Sequence, residues 1–293
     1  MERTESPLIV IVGPTASGKT ALAIRLAKRF GGEIICADSR TVYTYMDIGT
    51  AKPTVQEQAE VPHWGLDLVE PGERFTAADF KRYALEKINE IRARGNVPFL
   101  VGGSGLYVDA VLFDYEFGVQ SDNVTRAQLE QLTVKELQKY CIDHNIELPE
   151  NRRNKRYLVR AIEQHGINRQ RRDTPISTSI IVGIATDRDE LRTRIVHRAE
   201  QLFEDGVVKE ATMLGKKYGW ESEAMTGNIY PLVRQYLQGS LTMEEVQQKF
   251  ITLDWRLAKR QLTWLRRNQH IQWKTLHDAE HYLSNILARR ARS

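Results

Sequence analysis

The chain has 293 residues, 41% of them apolar and 27% charged, which excludes a disordered or collagen-like chain and allows about two domains. Its 42 basic and 38 acidic residues leave a net charge of +4, too mild to mark a nucleic-acid binder by itself. Two distant cysteines, Cys36 and Cys141, argue against a disulfide framework or a zinc module; with no signal peptide and no long apolar run, they point to the cytoplasm and away from membranes.

Residues 8–12, Leu-Ile-Val-Ile-Val, form a short apolar run of the kind buried on both faces of a parallel sheet. Residues 13–20 follow as Gly13-Pro14-Thr15-Ala16-Ser17-Gly18-Lys19-Thr20, matching G-x-x-x-x-G-K-[ST]. The glycines let backbone N–H groups close on phosphate oxygens, Lys19 adds a point charge, and the Thr20 hydroxyl can ligate Mg²⁺. A helix predicted over 21–30, with Leu22 and Leu26 four apart, turns its positive N-terminal end toward the same site. A chance match in a glycine-bearing turn is the alternative, and the strand–loop–helix context argues against it.

Gly31-Gly32 stops that helix, and 34–37 reads as a second strand. Asp38 stands at its tip, facing the same crevice as the phosphate loop. It suits a general base for a nucleophile that attacks a phosphate-bearing substrate; capping a following helical turn is the other role open to it. A weaker strand is predicted at 66–69. A long helix is predicted at 77–94, where Phe80, Ala84, Ile88 and Ile91 recur every three to four residues. Residues 97–101 form the fourth strand and run into Gly102-Gly103-Ser104-Gly105, without the strand-end carboxylate that holds Mg²⁺ in phosphoryl-transfer enzymes. From 120 to 175 strand signals stop, and polar helices are predicted at 134–145 and 154–165. Residues 180–184 return to a buried strand, and the chain after Arg188 reads as helical nearly to its end. The expected fold class is α/β: a P-loop NTPase-like parallel sheet core (1–119), an α-helical insertion (120–175), and a return to the core with a helical C-terminal region (176–293).

Charge is local. Residues 151–175 hold Arg152, Arg153, Lys155, Arg156, Arg160, Arg169, Arg171 and Arg172 against only Glu163 and Asp173, a larger excess than that of the whole chain. Residues 256–267 add Arg256, Lys259, Arg260, Arg266 and Arg267 with no acid. Such clusters, with Tyr157, Trp255 and Trp264 interleaved, read as contacts to a phosphate backbone; solvated helix faces are the alternative.

Longer runs narrow the function. Asp38-Ser39-Arg40-Thr41-Val42-Tyr43 and Met46-Asp47-Ile48-Gly49-Thr50-Ala51-Lys52-Pro53 are followed by Val61-Pro62-His63, Ala78-Asp79-Phe80 and Val101-Gly102-Gly103-Ser104-Gly105-Leu106-Tyr107. Asn154-Lys155-Arg156, Arg160-Ala161-Ile162-Glu163 and Ala258-Lys259-Arg260-Gln261-Leu262-Thr263-Trp264-Leu265-Arg266 come later. With the phosphate loop, these runs resemble the tRNA dimethylallyltransferase (tRNA isopentenyltransferase) family, bacterial type. The resemblance implies transfer of a dimethylallyl group from dimethylallyl diphosphate to the exocyclic amine of the adenine 3′-adjacent to the anticodon, with Mg²⁺ as cofactor and diphosphate released. It implies Asp38 as general base, Thr20 on Mg²⁺ and diphosphate, and Arg198 as a clamp on the leaving diphosphate. It sets Asp38, Ser39, Arg40, Thr41 and Ser104 around a flipped adenine, and Arg126, Arg156, Arg160, Lys259 and Arg260 along the tRNA. The implied partners are the anticodon stem-loop of tRNA and dimethylallyl diphosphate, with the protein a monomer. For Arg198 a solvated helix face is the alternative.

The chain departs from the pattern in places. Trp64 replaces a second His frequent after His63, Thr41 a common Gln, and Ser104 a usual Thr. Thr226-Gly227-Asn228-Ile229-Tyr230 stands where many members have Ile-Gly-Tyr-Lys, and the insertion is shorter than in larger bacterial members. No Cys/His zinc finger follows. A P-loop small-molecule kinase and a non-catalytic nucleotide-sensing RNA-binding protein are the alternative readings. The kinase has no need of two basic clusters, and intact Lys19, Thr20 and Asp38 speak against a dead enzyme.

Overall fold

The structure, a computed structural model, describes residues 5–117, 123–149, 151–164, 171–176 and 178–290. It divides into two compact units: Met1–Val111 with Ile176–Ser293, and Leu112–Pro175. The first unit is built on parallel strands β1 (Leu8–Val12), β2 (Gly32–Cys36), β3 (His63–Trp64), β4 (Val97–Gly102), β5 (Ser179–Ile184) and β6 (Gln272–Lys274). Their spatial order is β3-β2-β4-β1-β5-β6. Every residue of β1, β2 and β4 is buried, as expected of strands covered on both faces.

The covering helices are α1 (Lys19–Phe30), α2 (Val55–Glu60), α3 (Ala77–Ala93) and α4 (Gly105–Leu112). After the insertion come α8 (Arg188–Glu204), α9 (Val207–Tyr218), α10 (Tyr230–Leu237), α11 (Met243–Leu265) and α12 (Leu276–Arg290). One core cluster joins Ile9, Ile11, Ile34, Phe99, Val101 and Ile184 of the sheet to Leu22 and Leu26 of α1 and to Leu283 and Leu287 of α12. The predicted stripe of α3, Phe80, Ala84, Ile88 and Ile91, is buried in full. A capping box between Thr76 and Asp79 starts that helix.

The insertion has its own helices, α5 (Asn123–Gln131), α6 (Val134–Asp143) and α7 (Lys155–Gln164), closed over Leu129, Leu137, Cys141, Leu158, Val159 and Ile162. Gln120, His165 and Arg169, which figured in the sequence reading, lie outside the described residues. Among those described, no helix is long and apolar enough to cross a membrane.

Three expectations about elements are corrected. Helix α1 begins at Lys19 rather than residue 21, because Gly18, left-handed at φ 84°, serves as its N-cap. Residues 66–69 form no strand. Asp67 is left-handed at φ 53°, and its carboxylate is drawn 2.6 Å from the Lys52 ammonium, a kink an extended ladder does not tolerate. Only a single bridge, Tyr43 to Val69, survives there. The C-terminal region is not purely helical either, since β6 adds an edge strand to β5.

Trp64, one of the departures, has a structural role. Its indole N–H donates to Glu33 Oε2 at 2.7 Å, and the same buried carboxylate accepts from Arg94 Nη2 at 2.7 Å and Asn96 Nδ2 at 2.8 Å. Burial pushes the Glu33 carboxyl up, but these three donors outweigh it and hold it below the usual carboxylate range. Glu33→Ala leaves these three donors without their shared acceptor and is expected to cost roughly 1–3 kcal/mol in urea unfolding at pH 7. Because the folded value is depressed, this stability is complete above the ordinary glutamate value of about 4.3 and is lost as pH falls through the lower folded value. The gap between wild type and variant therefore narrows on acidification; a gap constant from pH 6 to pH 3 contradicts the assignment.

Candidate active site

The sheet order brings three strand tips together. Val12 pairs with Gly102, and Val101 with Cys36, so the loops after β1, β4 and β2 leave the sheet side by side. The approach is tight: a Cβ on Gly102 would lie 2.0 Å from the Ala37 carbonyl oxygen. Ala37 N–H donates to Val101 O at 2.7 Å, and Ser104 N–H returns to Ala37 O at 3.2 Å.

The phosphate loop curls around left-handed Ala16 (φ 61°) and Gly18, a geometry that gathers backbone N–H groups into an anion-binding concavity. Lys19 Nζ donates to Pro14 O at 3.2 Å. Burial pushes the Lys19 ammonium down to about 8; the Asp38 carboxylate pulls it up and the Arg198 guanidinium pushes it further down. These three groups therefore share one electrostatic neighbourhood. Ser17 Oγ is fully buried and has no partner among the described residues, as expected of a polar atom lining an anion cradle.

Asp38 caps a turn, not a helix. Its Oδ1 accepts the Arg40 N–H at 2.9 Å, while its Oδ2 has no partner among the described residues. Ser104 Oγ accepts the Ser39 N–H at 3.0 Å, tying the β4 loop to this turn. Thr41 is buried, its hydroxyl donating to Asp38 O at 3.4 Å. Arg40 reaches away: its guanidinium donates to Glu223 O at 3.0 Å, Ala224 O at 3.3 Å and Thr226 Oγ1 at 3.0 Å. Burial and the Asp38 charge push the neighbouring Cys36 thiol up to about 12, which disfavours its thiolate.

Arg198 lies on α8 with Nη2 3.5 Å from Thr50 O and Nη1 3.7 Å from Asp254 Oδ2. The Met46–Pro53 run that positions Thr50 is held by two buried charges. Lys52 donates to Tyr43 O at 2.9 Å and to Asp47 and Asp67 at 2.6 Å each. Glu210 accepts the N–H groups of Asp47, Ile48 and Gly49 at 2.7 to 2.9 Å and the Tyr230 hydroxyl at 3.0 Å.

Sequence reasoning missed several members of this site. Gln261 Oε1 accepts the Thr15 N–H of the phosphate loop at 2.8 Å, and Arg194 Nη1 donates to Ser17 O at 3.2 Å. Gln261 belongs to the Ala-Lys-Arg-Gln run, where the basic residues drew the attention; Arg194 is four residues, one helical turn, before Arg198.

Of the residues assigned to tRNA, Lys259, Arg260 and Arg156 are exposed. Lys259 Nζ lies 5.2 Å from the centre of the Trp255 ring. Within the insertion, Arg126 and Arg160 both face buried Glu163, at 3.5 and 3.2 Å. Tyr157 is exposed rather than part of the core.

A family model described as IPP transferase matches residues 41–268. The chain is 37% identical over 286 residues to the tRNA dimethylallyltransferase of Acetivibrio thermocellus, covering 91% of this chain and 90% of that one. It is 40% identical over 282 residues to the tRNA dimethylallyltransferase of Desulforudis audaxviator, covering 91% of each. The chain belongs to the IPP transferase family. The crystal structure of the tRNA isopentenylpyrophosphate transferase of Bacillus halodurans superposes with a TM-score of 0.75 at 34% identity, over 98% of this chain and 99% of that one. The matched family range opens at Thr41, after the phosphate loop and Asp38, whereas the superposition on the Bacillus halodurans structure spans 98% of this chain.

Proposed function

We propose that this protein, a cytoplasmic monomer, transfers the dimethylallyl group of dimethylallyl diphosphate to the exocyclic amine of the adenine 3′-adjacent to the anticodon in tRNA. The observation that supports this reading is that Lys19 at the start of α1 and Asp38 after β2 lie close enough, with Arg198 of α8, for each charge to act on the Lys19 ammonium. It suits a reaction in which an anion departs while an amine gives up a proton. A C–N bond forms from the amine nitrogen to the allylic carbon. The C–O bond to diphosphate breaks, its electron pair leaves with the diphosphate, and Asp38 takes the amine proton. The Arg40 N–H fixes Asp38 Oδ1, leaving Oδ2 for that proton. The backbone of residues 13–20, Lys19 and Arg198 stabilise charge on the leaving group.

Thr20 lies in the first turn of α1 beside the loop, and among the described residues no three His, Cys, Asp or Glu side chains gather to hold a metal alone. One hydroxyl suits Mg²⁺, which keeps several waters and takes its other oxygens from phosphates. Mg²⁺ bound there supplies charge neutralisation on the diphosphate. The adenine must leave its stack to present its amine, which costs less in a loop than in a duplex. Ser39, Arg40, Thr41 and Ser104 build the turn that receives it. Arg126, Arg156, Arg160, Lys259 and Arg260 meet the tRNA backbone, a reading supported by the names of the relatives. The test is mass spectrometry of nucleosides from unmodified tRNA incubated with the protein, dimethylallyl diphosphate and Mg²⁺. A new isopentenyladenosine peak is expected; no peak from a competent tRNA, with ATP turnover instead, overturns the reading in favour of a kinase.

A further inference from the structure

Helix α11 carries a charge on its buried face. Asp254 is 4% exposed and shares that face with Phe250 and Ala258, one turn to either side. The facing stripe of α8 is Leu191, Ile195 and Ala199, and Leu191, Ile195 and Ala258 form one apolar cluster. Phe203 meets Phe250 edge-on at 6.4 Å. A carboxylate in such a seam is costly unless it is paired. Asp254 has two partners. Asn228 Nδ2 donates to Oδ1 at 2.9 Å, and Arg198 Nη1 faces Oδ2 at 3.7 Å. Arg198 is otherwise loosely held: Nη2 reaches Thr50 O only at 3.5 Å, and its buried Nε has no partner among the described residues.

We propose that Asp254, fixed by Asn228, is a positioning residue that aims the Arg198 guanidinium at the phosphate loop. It touches no substrate. It holds one edge of the guanidinium, so that Nε and the remaining N–H groups face the anion instead of swinging along the seam. The inference rests on the transferase reading only in that Arg198 meets the diphosphate.

The test is a double-mutant cycle with Asp254→Asn and Arg198→Ala in the full chain. Binding of inorganic diphosphate with Mg²⁺ is measured by calorimetry, and kcat and the KM for tRNA in the transfer assay. Asp254→Asn keeps the size and the acceptor for Asn228. It is expected to weaken diphosphate binding and lower kcat, each about tenfold, with KM for tRNA unchanged, and to have no further effect in the Arg198→Ala background. Asn228→Ala, which keeps the carboxylate, moves the same quantities in the same direction by less. Unchanged or tighter diphosphate binding in Asp254→Asn overturns the proposal, as do equal losses in both backgrounds, the mark of a generally loosened helix seam. A wild-type protein that makes no isopentenyladenosine, while the binding cycle follows the expected pattern, overturns the transferase reading and leaves Asp254 in its role.

Discussion

Asp38→Asn is expected to lower the single-turnover rate of transfer by about 10³-fold while leaving inorganic diphosphate affinity within about threefold of wild type. The two readouts separate because Asp38 faces the loop without belonging to it. Its Oδ1 is an acceptor for the Arg40 N–H, a bond that Asn preserves, so the turn and the Ser104 link survive. What Asn lacks is the basicity to take a proton from the amine. A variant that loses diphosphate binding in parallel with transfer shows instead that the Asp38 charge serves the anion site.

Lys19→Met should instead lower binding and turnover together. Diphosphate affinity and kcat/KM are each expected to fall by about 10²-fold, since the variant removes a cation held against the loop backbone. Stability should rise, by roughly 1–2 kcal/mol, because burial already disfavours the Lys19 ammonium and methionine fills the same space without that cost. Thermal unfolding and calorimetric titration of one preparation measure both quantities. A destabilised variant indicates that the 3.2 Å bond to Pro14 O, not the anion, is what retains Lys19.

The contiguous parts of this site were legible in the sequence. Eight residues after an apolar strand define the phosphate loop, and Asp38 at the next strand tip follows from parallel topology. The buried stripe of α3 was readable from its period. Features that depend on tertiary partners were not. Leu66 to Val69 looks extended by composition, yet Lys52 pulls Asp67 into a left-handed turn. Strands of two and three residues, β3 and β6, carry too little pattern to separate them from loops. Asp254 reads as an ordinary polar residue in a charged helix until α8 is packed against it. Glu210 caps a loop more than 160 residues before it, and no local signal announces that.

The pairing of the first and last helices bears on how the protein is made. Leu22 and Leu26 of α1 close their core against Leu283 and Leu287 of α12. At ~5–20 residues per second, the ribosome delivers α12 on the order of 10–50 s after α1 has been synthesised. Through that interval the apolar face of α1 lacks its final cover, and the strand that flanks β5, β6, has not been made. The nascent chain thus displays both a hydrophobic helix face and an open sheet edge, the features that chaperones recognise and that invite aggregation. Slower translation or added chaperone is then expected to raise its soluble yield on overexpression.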